Sequence, residues 1–369
     1  MLLKDVIKKF EKSLIKAGDG EEKGQYPLYT CSPTINKYLN DYIVNDEAII
    51  ISTGGKFSIH YVNGKFNYST DCLVFKSTKF RTKYLYYYLL NNRKIIDNMF
   101  RGAGIKHLNK REFMNLNVDE VSFEEQDKII EQLDCIECAI DNRSKQIEDL
   151  NKLINSQFVE MFGNLKHNDK KWGYVDVLGN ITILNPSKSE IKDIDKSTII
   201  TFLPMQNVST TGVIDYSIEK SINEVWKGFT YFKENDVLFA KITPCMENGK
   251  GAVARNLKNG IGFGTTEFHV IRPKKLINSQ WLYTFLSHSE FRREAEKNMT
   301  GSAGQKRVPI SFLANYKLAV PPIELQDKFE KIVKLINEEK NNCESDIMDL
   351  QKLLEVILHN YFSKEVTNE

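Results

Sequence analysis

Residues 124–162 read EEQDKIIEQLDCIECAIDNRSKQIEDLNKLINSQFVEMF, and residues 324–362 read ELQDKFEKIVKLINEEKNNCESDIMDLQKLLEVILHNYF. The two stretches align at a constant offset of 200 positions without a gap, so Gln126 corresponds to Gln326 and Asp149 to Asp349. A sequence that returns after a fixed interval is typical of a protein built from repeated structural units. The chain is therefore predicted to consist of two similar halves, each ending in this stretch.

Apolar residues recur in both stretches at alternating intervals of four and three, starting with Ile129 and Leu133 in the first copy and Phe329 and Val333 in the second. This spacing places one apolar seam along a helix for about five heptads. Neither stretch contains Gly or Pro, so each is expected to form one helix of about 60 Å. We expect the two helices to pair with each other as an antiparallel coiled coil; pairing between separate chains is the alternative.

Two charged residues interrupt the seam. Arg143 and Lys340 occupy positions where the heptad pattern otherwise has an apolar side chain. Polar residues at such positions can fix the alignment of two helices at some cost in stability. Long charged side chains can also extend past an apolar surface to the solvent. Both interpretations stay open at this point.

The two helical stretches are acidic, whereas the rest of the chain is basic. Residues 124–163 hold ten Asp or Glu and four Lys or Arg, and residues 324–363 hold nine and five. Since the whole chain carries a formal net charge of +2, the remaining segments carry +12. This asymmetry favours a polyanionic partner that contacts the globular segments only, although a solvated basic surface has the same charge balance.

Cysteine usage and hydropathy indicate the compartment. Six cysteines are scattered along the 369 residues, as is usual in a reducing, cytoplasmic setting. No apolar run reaches the length of a membrane span, and the first ten residues are too charged for a secretory signal. Cys135 and Cys138 lie within the heptad pattern without a second Cys or His pair, so we interpret them as ordinary helix cysteines rather than zinc ligands. We expect neither a membrane partner nor a bound cofactor.

The segments before the two helical stretches contain short strand patterns and one further helix each, which predicts two α+β domains. The first segment is expected to begin with an amphipathic helix over 3–14, to turn at Asn63-Gly64 and to hold a second helix over 82–100. Each segment then continues into a Gly-rich basic loop, RGAGIKH at 101–107 and MTGSAGQKRV at 299–308. Similar helices behind diverged globular parts are what two different recognition tasks would produce.

The order of these features resembles the specificity subunit of a type I restriction–modification system. The local signature is a Gly/Gln/Lys loop, an apolar strand and PPIELQ at 321–326, which is similar to the Pro-Pro-Leu-x-Glu-Gln entry into the helix in that family. The first half has VSFEEQ at 121–126 and lacks the two prolines, which leaves the turn geometry there open. The resemblance covers nearly the whole chain.

The resemblance implies an α+β fold in which two tandem α/β target-recognition domains are separated by two long helices. These helices pair as an antiparallel coiled coil with pseudo-two-fold symmetry. The expected boundaries are 1–122 for the first recognition domain, 123–163 for the central helix, 164–322 for the second recognition domain and 323–369 for the distal helix.

The resemblance also implies a function. Each recognition domain would read one half of a bipartite, asymmetric site in double-stranded DNA, and the helices would set the distance between the halves. Two methyltransferase subunits, which use S-adenosylmethionine to modify adenine, would dock on the helices, and restriction–translocation subunits would join the full complex. The chain itself would not be an enzyme.

Independent catalytic chemistry is not indicated by the sequence. There is no Gly-x-x-x-x-Gly-Lys-Ser/Thr phosphate loop, so ATP hydrolysis by this chain is not expected. No Asn-Pro-Pro-aromatic tetrad is present, and Asn185-Pro186-Ser187 is more typical of a turn. Two other classes of function stay open: an interaction scaffold whose basic domains hold other proteins, and a self-sufficient DNA-modifying enzyme.

Candidate DNA contacts lie in two sets of loops in each half. Glycines there would let backbone amides approach phosphate while basic side chains reach phosphate or a base edge, and Arg and Gln can pair with guanine and adenine. The first half contributes Ser52, Thr53, Lys56, Arg101, Lys106 and His107, and the second contributes Lys241, Thr243, Asn248, Lys250, Gln305, Lys306 and Arg307. An exposed loop side chain without a ligand is the alternative for each of them.

Overall fold

The computed structural model describes residues 1–302 and 304–363. They form two compact units. The first unit combines Met1–Lys145 with the segment from Cys343 onwards, and the second unit is Gln146–Asn342. Each unit therefore contains one globular part and portions of both long helices. Of the described helices, none combines the length and the apolarity that crossing a bilayer requires.

The first unit is built on one mixed sheet. Its strands are β1 (Ile7–Lys9), β2 (Tyr26–Tyr29), β3 (Tyr38–Leu39), β4 (Val44–Ser52), β5 (Ile59–Tyr68) and β6 (Cys72–Ser77), and they lie in the order β1-β6-β4-β5-β2-β3. A separate hairpin joins β7 (Phe100–Arg101) and β8 (His107–Leu108). The helices are α1 (Thr82–Asn91), α2 (Arg93–Asp97), α3 (Lys110–Met114) and α4 (Phe123–Phe162), whose second part belongs to the other unit.

The second unit has two four-stranded sheets. One has the order β10-β17-β14-β15 and the other β12-β11-β16-β13. The strands are β9 (Val175–Val177), β10 (Thr182–Leu184), β11 (Ile199–Leu203), β12 (Glu219–Ser221), β13 (Thr230–Lys233), β14 (Val237–Ala240), β15 (Gly251–Val253), β16 (Ile261–Gly264), β17 (Phe268–Pro273) and β18 (Lys317–Ala319). The helices are α5 (Leu178–Ile181), α6 (Ile222–Val225), α7 (Ser279–Ser287), α8 (Ser289–Lys297), α9 (Ile310–Asn315) and α10 (Ile323–Phe362).

The two units share an architectural core. The strand order β1-β6-β4-β5 in the first unit equals β10-β17-β14-β15 in the second, and every neighbouring pair in both series is antiparallel. In both units the second strand of the series is followed by two consecutive helices, and a short helix precedes the long one. The internal repeat therefore extends from the long helices into the globular parts, where sequence similarity is faint.

The units diverge beyond this shared sheet. In the first unit β2 adds in parallel next to β5 and carries β3 on its far edge. In the second unit the strands β12, β11, β16 and β13 form a sheet of their own with a separate apolar core. The additional strands are thus where each half acquires its own surface.

Three local predictions for the first half are wrong. Residues 7–9 form β1 rather than continuing a helix from residue 3, because the preceding side chains of Leu3 and Val6 are buried in the domain core and the strand pairs with β6. Asn63-Gly64 lies inside β5 opposite Glu47 and Asp46, and the chain reverses instead between β4 and β5. The predicted helix over 82–100 is broken into α1 and α2, and Phe100 begins β7.

The long helices pair antiparallel within the first unit. Early residues of α4, Ile129 and Leu133, share a core with Leu358 near the end of α10. The hydroxyl of Tyr361 donates to Oε1 of Gln132 at 2.8 Å. Further along α4, Arg143 pairs with Asp346, which comes earlier in α10, at 3.0 Å. The seam residue Arg143 therefore makes a specific contact with the other helix instead of only extending to the solvent.

The same pairing occurs within the second unit, with the other ends of the two helices. The ring of Phe329, near the start of α10, lies 5.4 Å from that of Phe158 and 5.5 Å from that of Phe162, near the end of α4. Nearer the middle of both helices, Gln146 donates to Glu339 at 3.1 Å. Later residues of α4 therefore contact earlier residues of α10, which confirms an antiparallel pair within one chain.

A buried glutamine attaches each long helix to its globular part. Nε2 of Gln326 donates to the carbonyl oxygens of Leu276 at 3.0 Å and Pro321 at 2.8 Å. Its Oε1 accepts from the backbone amide of Asn278, the residue that caps α7, at 2.9 Å. The side chain thereby satisfies three backbone groups that would otherwise lie unpaired in a dry interior.

Gln126 does the same in the first unit. Its Nε2 donates to the carbonyl oxygen of Val121 at 2.7 Å, and its Oε1 accepts from the amide of Arg81, directly before α1, at 2.8 Å. The guanidinium of Arg81 also forms an ion pair with Asp127 at 2.8 Å. The repeated Gln-Asp of the two helical stretches thus has a structural role: it fixes α1 in the first unit and α7 in the second to the start of the long helix.

Candidate nucleic-acid interface

In the first unit, the two sets of loop residues singled out from the sequence meet. Gly54 forms a β-bridge with His107. The amide of Gly55 donates to the carbonyl oxygen of Lys106 at 2.9 Å, and the amide of Leu108 donates to that of Thr53 at 3.0 Å. Residues 52–56 and 101–107, named here the first paired loops, therefore form one surface although about 50 positions separate them.

The second unit contains the same arrangement. Ile242 forms a β-bridge with Arg307. The amide of Thr243 donates to the carbonyl oxygen of Lys306 at 3.0 Å, and the amide of Val308 donates to that of Lys241 at 2.9 Å. Residues 241–250 and 305–307, named here the second paired loops, thus reproduce the backbone hydrogen bonds of the first.

The side chains of the first paired loops differ in their exposure and in the partners that they contact. Lys56, Arg101, Lys106 and His107 are exposed, and Arg101 forms an ion pair with Glu112 at 2.9 Å.

The two hydroxyl residues of these loops are engaged by the protein. Ser52 is 1% exposed, donates to the carbonyl oxygen of Lys56 at 2.9 Å and accepts from the amide of Ser58 at 2.8 Å. Thr53 donates to the carbonyl oxygen of Asp71 at 2.8 Å. The basic side chains are thus the part of this surface that is presented to a ligand, while Ser52 closes the turn beneath them.

The second paired loops present another mixture. Asn248, Gln305 and Lys306 are exposed. Thr243 is half-buried and its hydroxyl donates to the carbonyl oxygen of Lys306 at 3.2 Å. Lys250 is also half-buried and donates to the carbonyl oxygen of Met205 at 3.1 Å, which anchors it to the protein. Amide and ammonium groups are therefore exposed on this surface, and the guanidinium of Arg307 is partly exposed.

Glu267 is a member of the second site that was not singled out as a site residue. It lies directly before β17, and its carboxylate receives Nε and Nη2 of Arg307, both at 2.9 Å. The Arg307 guanidinium holds the pKa of Glu267 below its usual value, and the carboxylate raises the pKa of Arg307. The similarity of Thr265-Thr266-Glu267 to Ser69-Thr70-Asp71 was the available signal.

That similarity reflects an equivalent position. The carbonyl oxygen of Asp71 accepts from the amide of Thr53 at 2.8 Å, and that of Glu267 accepts from the amide of Lys241 at 2.9 Å. An acidic residue therefore lies beneath the paired loops in both units, held by the same backbone contact.

His269 supports the second paired loops from below. Its Nε2 donates to the carbonyl oxygen of Val308 at 2.8 Å, and its Nδ1 accepts from the side-chain amide of Asn185 at 3.3 Å. Both contacts suit a neutral ring that carries its proton on Nε2. Burial lowers the pKa of His269. Asn185 thus belongs to the support of this loop.

Two thiols lie beside the first paired loops. Cys31 donates to the carbonyl oxygen of Asp71 at 3.3 Å, and Cys72 donates to that of Tyr29 at 3.6 Å. Those contacts belong to the two neutral thiols. When Cys31 is ionised, the S–H of Cys72 donates to it instead, and this hydrogen bond, together with bonds from the amides of Gly54 and Thr53, lowers the pKa of Cys31 to about 6. The same pairing and burial raise the pKa of Cys72.

The remaining residues that the sequence singled out are two cysteines of α4 and a charged residue of the heptad seam. Within residues 1–302 and 304–363, no group of three or more His, Cys, Asp or Glu side chains is placed to hold a metal ion. Cys135 and Cys138 are exposed on α4. Lys340, the second charged residue of the heptad seam, is buried.

Comparison with known proteins gives the chain a family. The model of the type I restriction modification DNA specificity domain matches residues 1–152 and 176–347. The specificity subunits of the type I restriction enzymes EcoAI and EcoEI of Escherichia coli are both 38% identical to the chain, over 188 and 194 residues. These matches cover 49% and 51% of the chain and only 31% and 32% of the two relatives, so the chain spans about a third of their length.

A solved structure shows the same fold over nearly the full length. The S subunit of the type I restriction–modification system from M. genitalium superposes on 99% of this chain and 96% of its own, with a TM-score of 0.54 and 14% sequence identity. Both α+β repeats and both long helices lie within the aligned region. With the family model matching both halves, the chain belongs to the family of type I restriction modification DNA specificity domains.

Proposed function

We propose that the chain is the DNA sequence-specificity subunit of a type I restriction–modification complex and reads a bipartite, asymmetric site in double-stranded DNA. The observation that carries the proposal is the repetition of the paired loops. Gly55 contacts Lys106 and Thr243 contacts Lys306 through the same backbone hydrogen bond, and basic side chains surround both contacts. Two equivalent basic surfaces with different side chains suit two readings of different sequences.

The paired loops have the chemistry that DNA recognition requires. Exposed Lys106 and Lys306 can neutralise phosphates, which supplies affinity without sequence preference. Arg307 and Gln305 carry the donors and acceptors that distinguish bases in the major groove. The division between lysines that position the duplex and side chains that read it is the usual division of protein–DNA contacts.

The partners follow from the same proposal. Two methyltransferase subunits would dock on the long helices and supply S-adenosylmethionine and the transfer of its methyl group to adenine, and restriction–translocation subunits would join where the system has them. The chain itself would choose the sequence without catalysing a step. Acidic helices beside basic recognition domains support this division, because a helix surface with a charge of −6 or −4 repels DNA and stays available to proteins.

Exchange of residues 164–322 for the equivalent segment of another specificity subunit tests the proposal. The hybrid is expected to retain one half-site and to acquire a new second half-site, as read by mapping methylated adenines in cells that carry the complete system. Exchange of residues 1–122 serves as the reciprocal control and should alter the other half-site only. A hybrid in which both half-sites change would refute modular reading, and a scaffold without sequence preference would give no methylation site at all.

A further inference from the structure

The guanidinium of Arg307 uses only some of its N–H donors in hydrogen bonds within the protein. Of its five N–H donors, Nε and one on Nη2 bind Glu267 at 2.9 Å each, and one on Nη1 binds the carbonyl oxygen of Gln305 at 3.0 Å. The fork is rigid and planar. Within residues 1–302 and 304–363, one hydrogen on each of Nη1 and Nη2 therefore has no hydrogen-bond partner.

These contacts fix the orientation of a side chain that is still accessible. The side chain of Arg307 is 41% exposed and that of Glu267 is 25% exposed. A guanidinium already held in one geometry loses less conformational freedom when a ligand binds than a free arginine does. The arrangement thus resembles a prepared contact more than a surface ion pair.

The charge of the pair indicates which DNA group it suits. Because Glu267 balances the charge of Arg307, the pair is close to neutral, and a phosphate would meet the carboxylate as well as the guanidinium. A neutral base edge avoids that repulsion. Nη1 and Nη2 share Cζ, and a donor on each can reach the O6 and N7 acceptors of guanine. Exposed Lys306, the neighbouring residue, supplies the charge that a phosphate requires.

The first unit differs at this position. His107 occupies the bridge position that Arg307 occupies in the second unit, opposite Gly54 instead of Ile242. The two ring nitrogens of an imidazole point away from each other, so it cannot present two donors to one base edge as a guanidinium does. The two half-sites are therefore expected to differ at the base that this position faces.

We propose that Arg307 reads a guanine in the half-site bound by the second unit, and that Glu267 is the positioning residue that holds the guanidinium for this contact. The proposal rests on the proposed function and adds the identity of one base and of the residue that controls its reading. Glu267 touches no DNA in this scheme; it acts through Arg307.

The test is selection of sequences from a pool of randomised duplex DNA by the full-length chain, purified from its native host with the subunits that it retains. Wild type should enrich a guanine at one position of one half-site. Arg307→Lys keeps the charge and loses the fork, so it should bind DNA with nearly unchanged affinity and lose about tenfold or more of the preference for that guanine. Glu267→Gln should lower the same preference several-fold and leave the other half-site unchanged.

Glu294→Gln is the matched control, because Glu294 forms an ion pair of similar exposure with Lys166 in the same unit, at 2.6 Å. It should leave every base preference unchanged. If Arg307→Lys retains the guanine preference, Arg307 contacts phosphate or no DNA and the inference is overturned. Equal loss at all positions in Glu267→Gln would make Glu267 a general structural residue and would also overturn it. A wild-type chain that enriches no sequence would refute the proposed function itself.

Discussion

The backbone amide of Gly55 lies 2.9 Å from the carbonyl oxygen of Lys106. This hydrogen bond joins two loops that are remote in sequence, and its counterpart between Thr243 and Lys306 joins the same two loops of the second unit. The recurrence shows that the fold preserves the relative position of the loops while their side chains change. Recognition can therefore diverge without rebuilding the frame.

Replacement of Lys306 by Ala is expected to weaken DNA binding uniformly across sequences. One lost phosphate contact should reduce the slope of log K against log salt by roughly 0.9. Binding to a fixed duplex, measured by fluorescence anisotropy at several salt concentrations, gives this slope. Lys331→Ala, on the exposed surface of α10 in the same unit, is the control and should leave it unchanged. An unaltered slope in Lys306→Ala would place this loop away from DNA.

Replacement of Gln326 by Ala is expected to destabilise the second unit by about 1–3 kcal/mol, because buried backbone groups lose their partners. Gln326 is 0% exposed and bonds Leu276, Pro321 and Asn278. Denaturant unfolding followed by circular dichroism measures the change. Gln351→Ala, at an exposed position of the same helix, should cost far less. Similar losses in the two variants would show that the buried contacts contribute little.

His269 is expected to make the stability of the second unit dependent on pH. Burial disfavours its protonation in the folded state, so the unfolded chain binds more protons below the ordinary histidine pKa of about 6.5. Its contribution to stability is therefore complete above that pH and is lost as pH falls through the lower folded pKa. Lys241 lowers this pKa further and Glu267 opposes the shift.

Thermal unfolding at pH 7 and pH 5 measures the effect. His269→Gln has no group that titrates in this window, so the difference in unfolding free energy between the two pH values should be smaller than in wild type. His167→Gln, an exposed histidine in the same unit, should behave as wild type. If His269→Gln retains the full pH dependence, other groups are responsible for it.

Cys31 is expected to react with iodoacetamide faster than the exposed helix thiols Cys135 and Cys138 at pH 7. Its pKa of about 6 makes it mostly thiolate there, whereas an ordinary thiol is mostly protonated. Peptide mass spectrometry after short exposure gives the rate at each cysteine. Cys72→Ala removes a hydrogen-bond donor and should slow Cys31, while Cys72→Ser retains a donor and should slow it less. Equal rates at all three thiols would contradict the pairing.

The long helices were predictable because their signal is local and repeated. A heptad seam without Gly or Pro fixes each helix, and the offset of 200 identifies the second copy, as the helices Phe123–Phe162 and Ile323–Phe362 show. The two Gly-rich basic loops were also predictable, because they lie at corresponding places in the two halves of the sequence. The prediction of an N-terminal helix was wrong because Leu3 is held by a segment that is distant in sequence: its amide donates to the carbonyl oxygen of Leu116 at 2.8 Å.

The organisation of the candidate site depended on contacts that one-dimensional patterns do not contain. Ser52 looks like a loop donor in the sequence, yet it is buried at the end of β4. The partnership of Glu267 with Arg307 spans 40 positions, and the similarity of residues 265–267 to residues 69–71 indicated the place of Glu267 but not its partner. Residue type indicated which loops bear charge, whereas strand pairing decides which of those charges meet.

The division of the long helices between the units has a consequence for the order in which the protein can be made. The second unit is one continuous run, Gln146–Asn342, whereas the core of the first unit joins Leu3 and Ile129 to Leu358. During synthesis the second unit has all its residues before the ribosome reaches Cys343. The first unit must wait for the last helix to emerge, because until then Ile129 and Leu133 of α4 lack the contact with Leu358.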